Sequence, residues 1–289
     1  MTEDPEATEH LFRDPERGPK ANGILPEAQI TLRHRLHRFF VSHRPFGRMT
    51  LRLFPRVRAV IRGARFLLAP YGNYSESIAW RTGDLKELRS LSHLLELMDG
   101  RKAFIVDIGA NCGFFTVFFS LYARSGSRIQ AFEPNPQMAR LLEENLRLNP
   151  AGRPVEIHEV ALSDGKTDGS VLYVPTQNLG AASLIRPSGT VRPIAVPVRT
   201  LASVLVEAAA DMYVVVKIDV EGHEPHILMP LLEASDARLP DAFLIETDNL
   251  DKWQVDLLHA LEKRGFRSVF EGEQNSLFLR SVSAGEKAH

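Results

Sequence analysis

The stretch that most constrains the fold runs from Phe104 to Glu133, FIVDIGANCGFFTVFFSLYARSGSRIQAFE. Ala103 to Val106 is an apolar run of strand length. It ends in a turn of small residues, Asp107-Ile108-Gly109-Ala110-Asn111-Cys112-Gly113. Phe114 to Ala123 is apolar but too short to cross a bilayer, so it reads as a helix packed on a sheet. A second strand, Arg128 to Phe132, then delivers Glu133 at its end. Strand, glycine turn, helix, strand and acid make the first unit of a nucleotide-binding α/β sheet.

Gly109 and Gly113 let backbone approach a ligand closely and tolerate positive φ. The helix start offers N–H groups to an anion such as a carboxylate. Glu133, 24 positions after Gly109, can accept both hydroxyls of a ribose. A dinucleotide wants G-x-G-x-x-G, but Asn111 and Phe114 stand at the second and third glycine positions, which cradles a pyrophosphate poorly. S-adenosylmethionine carries no phosphate, and its amino-acid end suits the looser D-x-G-x-N-x-G. The residues favour this methyl donor over a nicotinamide cofactor, and the loop reads as contacting it through Asp107, Gly109, Asn111, Gly113 and Phe114.

Charge along the chain is lopsided. Between Ala28 and Ser75 there is no Asp or Glu, and ten arginines from Arg33 to Arg65. Net charge is −1, so these ten leave the rest of the chain near −11. Such a block reads either as a solvated helical cover or as a contact for an anionic substrate or membrane surface. No nucleic-acid-binding motif accompanies it. The single cysteine, Cys112, excludes an intramolecular disulfide and reads as a small buried residue of the loop. With no signal sequence and no apolar run near the ~18 residues of a membrane span, a cytoplasmic location is the expectation.

Residues 1–27 are acidic and read as a disordered tail. Residues 28–84 read as a basic extension, with helices to Pro45 and from Phe54 to Ile61, then a hairpin around Tyr71-Gly72-Asn73-Tyr74 roofing the site. Residues 85–283 form the main domain. Leu85 to Met98 has helical leucine spacing, and Asn135 caps a helix with Pro136 at its first position. Val155 to Leu162, Met212 to Ile218 and Ala242 to Ile245 read as further strands. Trp253 to Lys263 reads as a helix, and a terminal antiparallel pair flanks Gly272. Residues 166–199 are an insertion of short β-like pieces of the kind that shapes an acceptor pocket. The fold class is α/β: a doubly wound, Rossmann-like, mostly parallel sheet closed by an antiparallel hairpin.

A second motif ends the fourth strand: Lys217-Ile218-Asp219-Val220-Glu221-Gly222-His223-Glu224. Alternation points Lys217 and Asp219 to one side. Ligands of open α/β sheets bind beyond the carboxyl ends of the strands, so Asp219, Glu246 and the Gly109 loop converge there. VDIGANCGFFT, AFEPNP, ALSD, VVVKIDVEGHEPHIL and LIET together resemble the FkbM family of S-adenosylmethionine-dependent methyltransferases, over Ile105 to Thr247. One departure is Ala202 after Thr200-Leu201, where the family usually carries an acid.

The resemblance implies O-methylation of a sugar, glycan or natural-product hydroxyl. Asp219 and His223 are the candidate bases, and Lys217 is a candidate for orienting the acceptor oxygen. Pro134 and Asn135 follow Glu133 at the ribose end, and Ala161, Leu162 and Asp164 are placed near the adenine. Asp219 and Glu246 could also hold a magnesium ion. Two other readings stand beside this one: a nicotinamide-dependent oxidoreductase, and a non-catalytic module docking through its arginines. The amino-terminal helices could also exchange between subunits of a homo-oligomer.

Overall fold

The computed structural model describes residues 56–281 apart from 71, 177 and 187. The acidic tail, the first basic helix and six of the ten arginines lie outside the described residues. The described part opens with a β-hairpin, β1 (Val57–Ile61) and β2 (Ala64–Leu68), in antiparallel register. This corrects the helix expected from Phe54 to Ile61. Arg62 and Gly63 both take positive φ, 48° and 83°, which is the backbone that closes a two-residue hairpin. Val57 and Ile61 are buried, and Arg56 and Arg58 alternate outward between the apolar positions. Arg56 pairs with Glu144 and Arg62 with Asp84.

Of the Tyr-Gly-Asn-Tyr segment, whose first residue lies outside the described ones, Asn73-Tyr74 is likewise a helix start rather than a hairpin. Asn73 accepts the N–H of Glu76 and caps α1 (Tyr74–Thr82), and Gly83 ends it in the left-handed conformation. Next, α2 (Leu88–Met98) presents Leu91, Leu94, Leu95 and Met98 to the core. The hairpin, α1 and α2 share one apolar cluster with the central helix, in which Phe66 packs on Phe114 and Phe118.

β3 (Ala103–Ile108), α3 (Phe114–Tyr122), β4 (Arg128–Phe132) and α4 (Pro136–Arg147) follow as expected. The expected third strand, Val155 to Leu162, is divided: β5 (Glu156–His158) joins the main sheet, whereas β6 (Ala161–Leu162) joins a small one. The insertion is one long antiparallel hairpin, β7 (Gly169–Pro175) and β8 (Val191–Arg199), with β8 also alongside β6. After α5 (Leu201–Leu205) come β9 (Tyr213–Ile218), α6 (Glu224–Glu233) and β10 (Ala242–Glu246). The expected helix from Trp253 shortens to α7 (Leu257–Lys263), because Asp256 caps it there by accepting the His259 N–H. β11 (Phe266–Glu271) and β12 (Asn275–Arg280) are the last elements of the described residues.

The main sheet has seven strands in the order β11-β12-β10-β9-β3-β4-β5, parallel except for the antiparallel pairings of β12 with β10 and β11. The strand order reverses beside β3, so β3, β4, β9 and β10 bring their carboxyl ends to one crevice. Strands buried on both faces read as unbroken apolar runs, as YVVVKI and AFLIE do here. No helix among the described residues is long and apolar enough to cross a membrane.

Candidate active site

β3 ends in Asp107-Ile108, and the chain then turns sharply at Gly109, with φ 72°. A Cβ on Gly109 would lie 1.9 Å from the Asp219 carbonyl oxygen, so only glycine allows the β3 and β9 turns to nest. Gly113 serves a different contact. A Cβ there would meet Leu142 of α4 at 2.3 Å, so this glycine lets two helices approach.

Beneath the loop lies a closed ionic network. Lys217 Nζ donates to the Gly109 carbonyl at 2.9 Å and lies 3.4 Å from Asp107 Oδ1 and 3.6 Å from Asp219 Oδ2. Thr116 Oγ1 donates to the other Asp107 oxygen at 2.5 Å. Burial pulls the Lys217 ammonium down, but Asp107 and Asp219 outweigh it and hold it above its usual value. Lys217 and Asp107 are thus buried supports of the loop, and neither lines the cleft above it.

That cleft is partly open to solvent. Of the sequence-derived cofactor residues, Gly109, Asn111, Glu133, Pro134, Ala161, Leu162 and Asp219 line it. Asp107, Gly113, Phe114, Asn135 and Asp164 lie outside this lining. The Phe114 ring turns to Phe66 at 5.2 Å, and Asp164 is engaged by Lys166 at 2.8 Å. Asn135 caps α4 and donates to the Leu179 carbonyl.

Glu133 is buried at the end of β4, and each of its oxygens accepts a backbone N–H: Asn111 at 2.7 Å and Asn135 at 2.8 Å. Burial pushes its carboxyl up to about 7, against the pull of those two donors. The N–H groups expected to be free at the start of α3 are partly consumed inside the loop. Asn111 N–H donates to Glu133 Oε2, Cys112 N–H donates to Asn111 Oδ1, and Gly113 N–H donates to the Ala110 carbonyl.

The cleft is roofed from two sides. Asn73 Nδ2 donates to Asn111 Oδ1 at 2.7 Å, tying α1 to the glycine loop. Leu179 of the insertion donates to the Gly72 carbonyl, and Tyr74 N–H donates to Asn178 Oδ1. Gly180 sits so close to Asn73 and Asn111 that a Cβ would come within 2.7 Å of both.

At the other end stand acids. Asp219, Glu221 and Glu246 each present an oxygen within 4.8 Å of the others. Glu221, with φ 60°, donates its N–H to Glu246 Oε2. Burial, then Asp219, push the Glu221 carboxyl up to about 7. Burial and the charges of Asp219, Glu221 and Glu224 hold Glu246 far above the usual carboxylate range. Glu87, at the start of α2, joins this group and accepts Asn275 Nδ2 at 2.6 Å. His223 also lines the cleft, with Nε2 2.9 Å from Ser163 Oγ. Burial, then His226, bring its imidazole down to about 4.

Sequence reasoning missed Glu87, Glu221, Asn73 and Gln274 as cleft residues. Glu221 lay inside the quoted motif and could have been found by its place at a strand end. Glu87 precedes any motif.

The family model for the methyltransferase FkbM domain matches residues 107–275, which takes in the glycine loop, Glu133, the KIDVEGHE strand end and Glu246. The chain belongs to the FkbM methyltransferase family. No curated protein matches it significantly in sequence. Among solved structures it is similar to a tRNA (uracil-54, C5)-methyltransferase of Pyrococcus abyssi in complex with S-adenosyl-L-homocysteine. That similarity is 12% identity over 78% of this chain and 44% of that one, at a TM-score of 0.41. Monomeric WbdD is 13% identical over 66% of this chain and 41% of its own, at 0.41. An S-adenosylmethionine-dependent O-methyltransferase of Thermotoga maritima is 13% identical over 68% and 67%, at 0.39. The FkbM chain spans less than half the length of the first two.

Proposed function

We propose that this FkbM protein binds S-adenosylmethionine between the Gly109 loop and Glu133 and methylates a hydroxyl of a sugar, glycan or natural product. The observation that carries the reading is Glu133. It is buried, ends β4 on the cleft wall, and is fixed by two backbone donors. A carboxylate has about four acceptor sites, so two remain for ribose hydroxyls. The nesting of Gly109 under Asp219 fits the methionyl end of the same ligand.

When bound, the cofactor supplies a methyl group on a sulfonium that leaves as a neutral thioether. The protein's part is alignment and proton removal. Asp219 lies at the cleft with its side chain 27% exposed, and it takes the hydroxyl proton as the new C–O bond replaces C–S. Lys217 holds Asp219 and the loop in register from below. His223, with one ring nitrogen on Ser163, is the less suited base of the two candidates.

Calorimetric titration with S-adenosylmethionine and S-adenosylhomocysteine, with NAD as control, tests the cofactor. Micromolar binding of the first two with silent NAD is expected. Glu133→Ala removes charge-assisted hydrogen bonds of about 1.5–3 kcal/mol, so affinity drops roughly tenfold to a hundredfold while circular dichroism stays unchanged. Unaltered affinity would place the ribose elsewhere. With an acceptor in hand, Asp219→Asn lowers turnover far more than cofactor affinity, and wild-type turnover in that variant rules Asp219 out as the base.

A second reading draws on the carboxylate trio. A magnesium ion on Asp219 and Glu246, with Glu221 as third ligand, would acidify the acceptor hydroxyl. Turnover that survives exhaustive chelation removes this reading.

A further inference from the structure

The two backbone donors on Glu133 belong to residues whose side chains are themselves held from the roof of the cleft. Asn111 Oδ1 accepts Asn73 Nδ2 at 2.7 Å, and Asn135 Nδ2 donates to the Leu179 carbonyl at 3.1 Å. The two halves of the roof are joined, because the Leu179 N–H donates to the Gly72 carbonyl at 2.7 Å. A closed ring of contacts therefore runs from Glu133 through Asn111, Asn73, Gly72, Leu179 and Asn135 back to Glu133. Of its side-chain links, Asn73 alone precedes the residues matched by the family model, and it is 3% exposed. Its Oδ1 accepts the Glu76 N–H as the cap of α1, and its Nδ2 also lies 3.6 Å from Met138 Sδ. The backbone after it is pinned too, by Asn178 Oδ1 on the Tyr74 N–H.

Asn111 is the residue that gains from this anchor. Its φ of 54° is left-handed, which asparagine tolerates when its side chain bonds locally. Its Oδ1 takes the Cys112 N–H at 2.8 Å as well as Asn73, and two donors on one oxygen fix which way the amide faces. The same backbone turn aims the Asn111 N–H at Glu133 Oε2.

We propose that Asn73 is a positioning residue for the ribose of the cofactor. By holding the Asn111 side chain it keeps the Asn111 N–H on Glu133, and so sets the direction in which the remaining lone pairs of Glu133 meet the ribose hydroxyls. This rests on the S-adenosylmethionine reading above and deepens it. Hydrogen bonds weaken steeply off axis, so a carboxylate that has turned keeps its charge but loses its aim. Asn73 lines the same cleft, yet both of its amide hydrogens are engaged within the protein, and its effect on the ribose passes through Asn111. A site built to bond a hydroxyl discriminates strongly against an analogue that lacks it, and that discrimination is what a misaimed Glu133 gives up. The segment before the family domain thereby completes the cofactor site.

The test compares S-adenosylhomocysteine with its 2′-deoxy analogue by calorimetry on the full chain. Wild type is expected to prefer the ribose compound at least about tenfold. Asn73→Ser keeps a capping oxygen for α1 but is too short to reach Asn111. In that variant the affinity for S-adenosylhomocysteine falls about tenfold and that for the deoxy analogue less than about threefold, so their ratio shrinks at least threefold. Damage to the fold alone would weaken both compounds alike. Should Asn73→Ser fail to fold, Asn73→Asp has the same shape and cap, lacks the Nδ2 donor, and must shrink the ratio as much. An equal loss for the two compounds, an unchanged ratio, or a wild type that never favours the 2′-hydroxyl overturns the assignment. Wild-type binding of neither compound overturns the cofactor reading itself, an outcome separate from binding without discrimination.

Discussion

Glu133 and Glu246 each end a central strand, each lines the same cleft, and they are 6% and 5% exposed. Their surroundings are opposite. Glu133 has a backbone donor on each oxygen and Lys217 among its charged neighbours. Glu246 has one backbone donor and three acids around it, Asp219, Glu221 and Glu224. Burial raises both carboxyls, but only Glu133 has enough compensation to titrate near neutrality. For Glu246, burial and the three acids all favour the protonated form, which would be a neutral hydrogen-bond donor. One end of the cleft is therefore satisfied before any ligand arrives, and the other gains when a ligand brings donors or positive charge. A hydroxylic acceptor would use the Glu246 proton, whereas a divalent cation would have to displace it.

The largest effect is expected where the satisfied end is packed most closely. Gly109→Ala places a methyl 1.9 Å from the Asp219 carbonyl, at φ 72° where alanine is itself strained. The two turns must part, at a cost on the order of 4 kcal/mol or more. Urea denaturation should register that loss, and S-adenosylhomocysteine binding should vanish. A variant that folds and binds normally would show that the loop is not fixed against β9, and the contrast between the two ends would lose its basis.

Lys217→Met comes next, because Lys217 serves both ends at once. Its removal leaves Asp107 and Asp219 without their shared counter-charge and the Gly109 carbonyl without its donor. Stripping one partner from a buried ion pair typically costs about 3–5 kcal/mol, which denaturant titration resolves. A loss below about 1 kcal/mol would mean that the acids had protonated instead.

The satisfied end was the more legible of the two in the sequence, for a physical reason. Gly109, Glu133, Asp219 and Glu246 all sit at strand ends, and strand ends follow from apolar runs and turn residues. What those residues touch followed less well. The N–H groups at the start of α3 looked free, yet Asn111 and Cys112 had local acceptors that the motif does not advertise. Lys217 and Asp219 share a side of β9 as alternation requires, but Lys217 stops beneath the loop at the Gly109 carbonyl. The β1–β2 hairpin was misread as helix because its Arg62-Gly63 turn lacks an Asn-Gly signature, although Arg56 and Arg58 alternate with apolar residues at period two. Glu87 had no local signal at all. Its place depends on Asn275, 188 residues away in the chain.

Glu246→Gln is expected to do least, and it sharpens the comparison most. If Glu246 holds its proton in the fold, the amide replaces one neutral group with another of the same shape and still accepts the Glu221 N–H. At about pH 4, below the carboxyl's unfolded value, stability should then stay within about 0.5 kcal/mol of wild type. A carboxyl whose pKa is raised by folding contributes stability at low pH and loses it as pH climbs from the unfolded value through the folded one. Wild type should therefore weaken relative to Glu246→Gln as the solution is made more alkaline, and the Glu221 carboxyl should titrate no higher in the variant. Thermal melts from about pH 4 to about 9.5 would follow both trends. A loss of more than about 2 kcal/mol at pH 7 would mean that Glu246 is ionised and paired, and the two ends of the cleft would then be alike.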